Sequence, residues 1–232
     1  GAVALRLGAR TGFAGGTALQ RFPAGARLVG RRTLKRRIGL FGGSFDPVHN
    51  AHLALARQAR DQLQLDELRF VPVGDAWQKA RTLTPAVQRE AMLRLAIAGE
   101  RGFVVERCEL RRPGPSYTLD TVRALQAAAP AAQWFLIIGD DQYRNLHTWH
   151  GFEELLQRVA LAVAQRPHDA PQASADARVR AAGCVDLALP PLALSSSDIR
   201  ARVAAGTDIA TLVPPSVALY IRQHGLYRAA GS

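Results

Sequence analysis

Cysteine is nearly absent from this chain of 232 residues: two occur, Cys108 and Cys184, far apart in sequence. A disulfide framework is therefore not expected, and a reduced, cytoplasmic setting is the simplest account. Long apolar runs are missing as well. The longest, such as 134–139 and 159–164, are strand-sized, well short of the ~18 residues needed to cross a membrane. There is no internal repeat. Residues 1–37 contain no Asp or Glu while holding nine Lys and Arg, so they supply +9 of the net charge of +11 and leave +2 for residues 38–232. A nearly neutral body gives no indication of a domain-wide basic face for DNA or RNA. Neither nucleic acid nor membrane is the expected partner.

What is present suits a globular fold. The apolar fraction of 48% supports a real core, and the length suits one domain with an appendage. Residues 1–34, rich in Gly, Ala and Arg, are expected to be a poorly ordered basic extension ahead of a domain over 35–228. An Arg-rich, acid-free leader also resembles an organelle transit peptide. The bacterial style of the rest, and Gly1 in place of Met, favour a tag remnant or an extended gene start.

From Lys35 onward, short apolar runs alternate with amphipathic stretches. Strands are predicted at 37–41, 67–73, 103–109, 134–138, 159–164 and 185–189. Helices are predicted at 49–63, 85–98, 119–128, 151–157, 196–205 and 215–224. Thr84-Pro85 is a helix start signal, with an N-cap before proline; Gly99 and Gly225 are stops. Residues 166–183 read as a peripheral loop carrying a surface helix. The alternation predicts an α/β fold of Rossmann-like type, a doubly wound parallel sheet with helices on both faces. Such folds bind ligands at the carboxyl ends of their strands.

The first strand runs into Gly42-Gly43-Ser44-Phe45-Asp46-Pro47-Val48-His49-Asn50-Ala51-His52. Glycines allow backbone N–H groups close to an anion. A helix N-terminus adds partial positive charge, and imidazoles at i and i+3 add donors. This is the make-up of a phosphate site. A zinc site would need a third ligand, and no residue at suitable spacing supplies it. A second hydroxyl-rich helix start, Ser195-Ser196-Ser197-Asp198-Ile199-Arg200, places Arg200 one turn in, where it can neutralise phosphate charge.

The first motif resembles the GG-x-F-D-P-x-H-x-G-H signature of the nucleotidylyltransferase superfamily, with Ala51 at the usual glycine. The second resembles its I-S-x-T-x-x-R motif, with Leu194 at the isoleucine and Ser197 at the threonine position. Residues 111–121, with Ser116-Tyr117-Thr118, are similar to the R-x-x-P-S-Y-T-x-x-T segment of bacterial nicotinate mononucleotide adenylyltransferases. Ile138-Gly139-Asp140-Asp141 followed by Trp149, then Arg166-Pro167, then the tail from Leu212 to Tyr227, resemble further elements of that family. The likeness covers about residues 36–228.

The resemblance implies an adenylyl transfer from ATP to nicotinate mononucleotide, with pyrophosphate leaving. It implies His49, His52 and Arg200 as catalytic residues. Gly42, Gly43, Ser44, Phe45, Gly139, Asp141, Ser195 and Ser197 join them around ATP, and Lys79, Tyr117, Thr118, Trp149 and Arg166 surround the pyridine nucleotide. Mg²⁺ is expected to come with ATP rather than in a resident protein site. Asp46 is the nearest acid able to influence that ion or to orient a histidine, and Arg89 reads equally well as structural. The protein is expected to be a monomer or homodimer. Alternatives are transfer to nicotinamide mononucleotide or another phosphorylated small molecule and, ranked lower, a nucleotide sensor or an RNA-binding protein using the basic leader.

Overall fold

Six apolar segments form one parallel sheet in the computed structural model, which describes residues 35–74, 83–165, 175–188 and 194–229. The strands are β1 (Arg37–Gly43), β2 (Glu67–Pro72), β3 (Phe103–Val105), β4 (Gln133–Gly139), β5 (Ala160–Gln165) and β6 (Val185–Ala188). Their order across the sheet is β3-β2-β1-β4-β5-β6. The chain winds outward from β1 in one direction, returns to its other side at β4, and winds outward again. That reversal leaves a crevice beyond the carboxyl ends of β1 and β4, where the two strands pair in parallel with Phe41 opposite Ile137.

Side chains alternate across the sheet and feed two cores. Phe41, Phe70, Phe135 and Ile137 face one side, covered by α1 (Asn50–Gln62), α2 (Ala86–Ile97), α8 (Ser196–Ala204) and α9 (Pro215–Gln223). Ile38, Leu40, Leu136 and Ile138 face the other, covered by α4 (Thr118–Ala128), α5 (Asp140–Arg144), α6 (Phe152–Arg158) and α7 (Ala177–Ala182). The strands read as near-continuous apolar runs because both faces are buried. The predicted doubly wound architecture is the one observed.

Two local differences have physical causes. The predicted strand over 103–109 stops at Val105. The Glu106 carboxylate then accepts the Cys108 N–H at 3.0 Å, and the chain turns into the short helix α3 (Cys108–Arg111). Helix α2 begins one residue later than the Thr84-Pro85 signal implies, with Pro85 at the cap position and its carbonyl accepting from Gln88 at 2.9 Å. Helix α7 is the surface helix expected within 166–183: most of its residues are exposed, and Val179 anchors it by full burial in the second core. The remainder of that predicted loop, 166–174, and Leu189 lie outside the described residues.

The stop at Gly225 takes a specific form. Gly225 adopts a left-handed φ of 59°, its N–H bonds to the Arg222 carbonyl at 3.3 Å, and the Leu226 N–H reaches back to Ile221 at 3.0 Å. These paired bonds satisfy the last carbonyls of α9 and turn the tail back toward the sheet.

Gly74, just after β2, meets a neighbouring segment at its closest approach. A β-carbon there would sit 2.4 Å from the Glu109 carbonyl oxygen, a backbone atom that cannot swing aside. Gly74→Ala should therefore cost about 1–3 kcal/mol through forced backbone displacement. Urea unfolding curves that superimpose on wild type would refute this close packing.

Candidate active site

The turn from β1 into α1 lies at the strand reversal. Gly42 is exposed and Gly43 half-buried, while Phe45, Asp46, Pro47, Val48 and His49 are buried. The Phe45 ring closes over Gly43 and packs edge-on against Phe41 and Phe70, which fixes the turn on the core. Phe45 itself holds a left-handed φ of 46°, and the Asp46-Pro47 peptide is cis.

His49 caps α1, and His52 stacks on it with ring centroids 3.6 Å apart and planes inclined by 21°. The His49 N–H donates to His52 Nδ1 at 3.2 Å. An acceptor Nδ1 puts the proton of a neutral His52 on Nε2, leaving that nitrogen a donor. His49 Nδ1 is buried with no protein partner among the described residues. Burial pushes the His49 imidazole down to about 4. Burial, and secondarily the neighbouring His49, hold His52 well below its usual value. Both rings are thus neutral near pH 7, held in place by packing.

Helix α8 delivers the second motif to the same place. Ser195 caps α8, its Oγ accepting the Asp198 N–H at 3.1 Å. Ser196 Oγ donates to the Pro47 carbonyl at 2.9 Å, and Arg200 Nη1 donates to the Asp46 carbonyl at 2.7 Å. Arg200 Nη2 also donates to Ser197 Oγ at 2.9 Å. Segments about 150 residues apart in sequence are joined here through side chains on main-chain carbonyls.

Beside this turn opens a cavity of about 750 Å³. Its walls include Gly42, Gly43 and Ser44 from the turn, Tyr117 and Thr118 at the start of α4, Asp141 in α5, and Trp149. Gly139 ends β4, between Ile138 and Asp141, which line the cavity. Of the acidic pair at the start of α5, Asp140 is buried and ion-paired to Arg144, whereas Asp141 is exposed to the cavity. Trp149 is half-buried at the rim between exposed Thr148 and His150, and Tyr117 lies against the His150 ring at 4.6 Å.

The predicted residues thus fall into two adjoining groups. One holds the glycine turn, Tyr117, Thr118, Asp141 and Trp149 around the cavity; the other gathers Phe45, His49, His52, Ser195, Ser197 and Arg200 about the start of α1. Lys79 and Arg166 lie outside the described residues.

Three side chains carry tasks not read from the sequence. Asp46 is fully buried; its carboxylate accepts from Tyr227 Oη at 2.6 Å and from the Thr84 N–H at 3.3 Å. Arg89 is buried and donates to the carbonyls of Thr84, Ser44 and Gly74 at 2.8, 3.0 and 3.2 Å, tying the ends of β1 and β2 to α2. Glu109 lines the cavity and accepts from Thr121 Oγ1 at 2.8 Å, while burial pushes its carboxyl upward. An arginine beside the apolar positions Met92, Leu93, Ala96 and Ile97 of α2 was the available signal for Arg89. Asp46 and Glu109 gave none, since their partners are distant in sequence.

A family model described as cytidylyltransferase-like matches residues 40–202, and with it the fold and the site define a nucleotidyltransferase. A protein of Methylibium petroleiphilum named "Probable nicotinate-nucleotide adenylyltransferase" is 50% identical over 197 residues, covering 83% of this chain and 93% of the relative. One of the same name from Albidiferax ferrireducens is 47% identical, covering 84% of this chain and all of the relative. The chain belongs to the nicotinate-nucleotide adenylyltransferase family. The fold is also that of Plasmodium falciparum nicotinic acid mononucleotide adenylyltransferase complexed with NaAD. That structure has a TM-score of 0.69 at 21% identity, with 83% of this chain and 97% of that one covered.

The depressed histidines have a measurable consequence. Between about pH 6.5 and about pH 4, the unfolded chain takes up protons at these positions that the folded chain refuses, so stability falls as pH falls. Below about pH 4 the His49 contribution levels off. His49→Asn removes one such group. Its loss of unfolding free energy between pH 7.5 and pH 5 should be smaller than that of wild type by about 2 kcal/mol. Parallel pH profiles would mean that His49 titrates normally.

Proposed function

We propose that the chain transfers the adenylyl group of ATP to nicotinate mononucleotide, giving nicotinate adenine dinucleotide and pyrophosphate. The observation that carries this reading is the convergence of the β1–α1 turn and Arg200 beside the cavity at the strand reversal, in a chain of this family. The acceptor phosphate attacks the α-phosphorus of ATP, and pyrophosphate departs on the opposite side. The nucleophile is already anionic near neutral pH, so no strong base is required. The protein's work is to hold two anions in line and to stabilise charge building on the phosphorus.

In this reading neutral His49 and His52 donate hydrogen bonds to the α- and β-phosphates, and Arg200 steadies the leaving pyrophosphate. Gly42, Gly43, Ser44 and Phe45 bring main-chain N–H groups to the triphosphate. Ser195 and Ser197 frame it from α8, while Gly139 and Asp141 meet the adenosine. Tyr117, Thr118 and Trp149 take the pyridine nucleotide, joined by Lys79 and Arg166. The α4 start offers main-chain N–H groups to the nicotinate carboxylate, which nicotinamide lacks.

Mg²⁺ enters as part of the ATP substrate. The donor set suits that: among the described residues no group of three or more His, Cys, Asp or Glu is placed to hold a metal, and Asp46, the acid of the turn, is engaged by Tyr227 and Thr84. An ion bound chiefly by phosphate oxygens and water needs little more, and its charge helps neutralise the triphosphate.

The test is pyrophosphate release from ATP and Mg²⁺ with nicotinate mononucleotide or its amide as acceptor. Faster turnover with the acid is expected, together with a loss of about 10²–10³ in kcat for His49→Ala. Turnover with the amide alone would reassign the acceptor, and no turnover with either would overturn the reading.

A further inference from the structure

Two half-buried partners of the catalytic turn come from places that the reaction itself does not call on. Tyr227, in the tail beyond α9, places its hydroxyl 2.6 Å from Asp46 Oδ1. On the same carboxylate, Oδ2 accepts the Thr84 N–H at 3.3 Å. The carbonyl of Asp46 is the acceptor for Arg200 Nη1 at 2.7 Å, and the next carbonyl, of Pro47, accepts from Ser196. One fully buried residue therefore meets the segment leading into α2, helix α8 and the tail at once.

The backbone around this contact is unusual. Three non-glycine residues among those described have left-handed φ: Phe45, Gln64 and Tyr227. Two of these meet at Asp46: Phe45 (φ 46°) precedes it in the chain, and Tyr227 (φ 63°) is bonded to its side chain. Such conformations cost free energy and persist where the surroundings over-determine them. Here they hold a buried carboxylate whose main-chain oxygen positions the arginine.

We propose that Tyr227 is a positioning residue for adenylyl transfer, acting through Asp46 to fix the Phe45–His49 turn and the Arg200 guanidinium in the geometry that the transition state requires. The inference rests on the adenylyl-transfer reading. Tyr227 touches no reacting atom in this scheme. Its hydroxyl donates to a fully buried carboxylate, and it keeps the Asp46 carbonyl turned toward Arg200. Burial, and next the hydrogen bond to Asp46, push the phenol strongly upward, which keeps it a proton donor throughout the working range.

Tyr227→Phe keeps the ring that packs on the core and removes only the hydroxyl. With ATP and nicotinate mononucleotide saturating, kcat is expected to fall by about 10- to 100-fold with KM for ATP nearly unchanged, because a misplaced donor is felt most in the transition state. Asp46→Asn should show the same pattern. The double variant should be no slower than the worse single one, since both remove one contact. A packing role alone would lower Tm and leave kcat intact below the melt, and that result overturns the proposal. Multiplicative losses in the double variant, or a Tyr227→Phe protein unfolded at 25 °C, overturn it as well. Hydrogen exchange of the peptide spanning 44–52 gives a readout independent of turnover. Faster exchange in Tyr227→Phe is expected, and unchanged exchange overturns the proposal. If wild type turns over neither acceptor, the functional reading fails by itself, and the exchange measurement still decides whether Tyr227 fixes the turn.

Discussion

The contact on which the site depends is the hydrogen bond from Arg200 to the main-chain carbonyl of Asp46. It is made to backbone, so it demands a particular conformation of the turn rather than a particular side chain. Everything around it serves that demand. Phe45 anchors the turn to the core, Arg89 grips the carbonyl of Ser44 from beneath, and Asp46 is held at its carboxylate. Parallel strands supply the reason the turn is available at all. With β2 on one side of β1 and β4 on the other, the loops leaving β1 and β4 diverge and open a crevice that no other position in the sheet offers.

Charge is arranged with similar economy. The two imidazoles are kept neutral by burial, so they add no positive charge that would have to be compensated in the folded state. Arg200 adds a cation whose charge does not depend on pH and whose planar fork serves a carbonyl and a hydroxyl together. A triphosphate arriving at such a site meets aligned dipoles and donors already fixed in orientation, so little reorganisation is left for the reacting moment.

Much of this was legible from residue order. The strand runs were visible because both faces of the sheet are buried, and β1 could be followed into its glycines. The histidine spacing marked the start of α1, and the serine run marked α8. The meeting of those two motifs was implied only by resemblance; no periodicity carries it. The end of β3 escaped because a side chain, Glu106, takes over a backbone donor that a strand would have used elsewhere. The linked roles of Asp46, Arg89 and Tyr227 escaped for a related reason. Each depends on a partner from another element, and sequence windows record neighbours along the chain only. In the Asp140-Asp141 pair, the fold alone separated the buried acid from the cavity-facing one.

The order of segments also bears on synthesis. The β1 turn is made early, while the arginine that fastens onto it is encoded 154 positions later. At about 5–20 residues per second of translation, roughly 8–30 s pass between the two. During that interval a nascent chain can pair its first strands and still lack a finished phosphate cradle. A ribosome-bound intermediate would therefore be a Rossmann sheet without an enzyme, silent toward nucleotide until α8 has emerged.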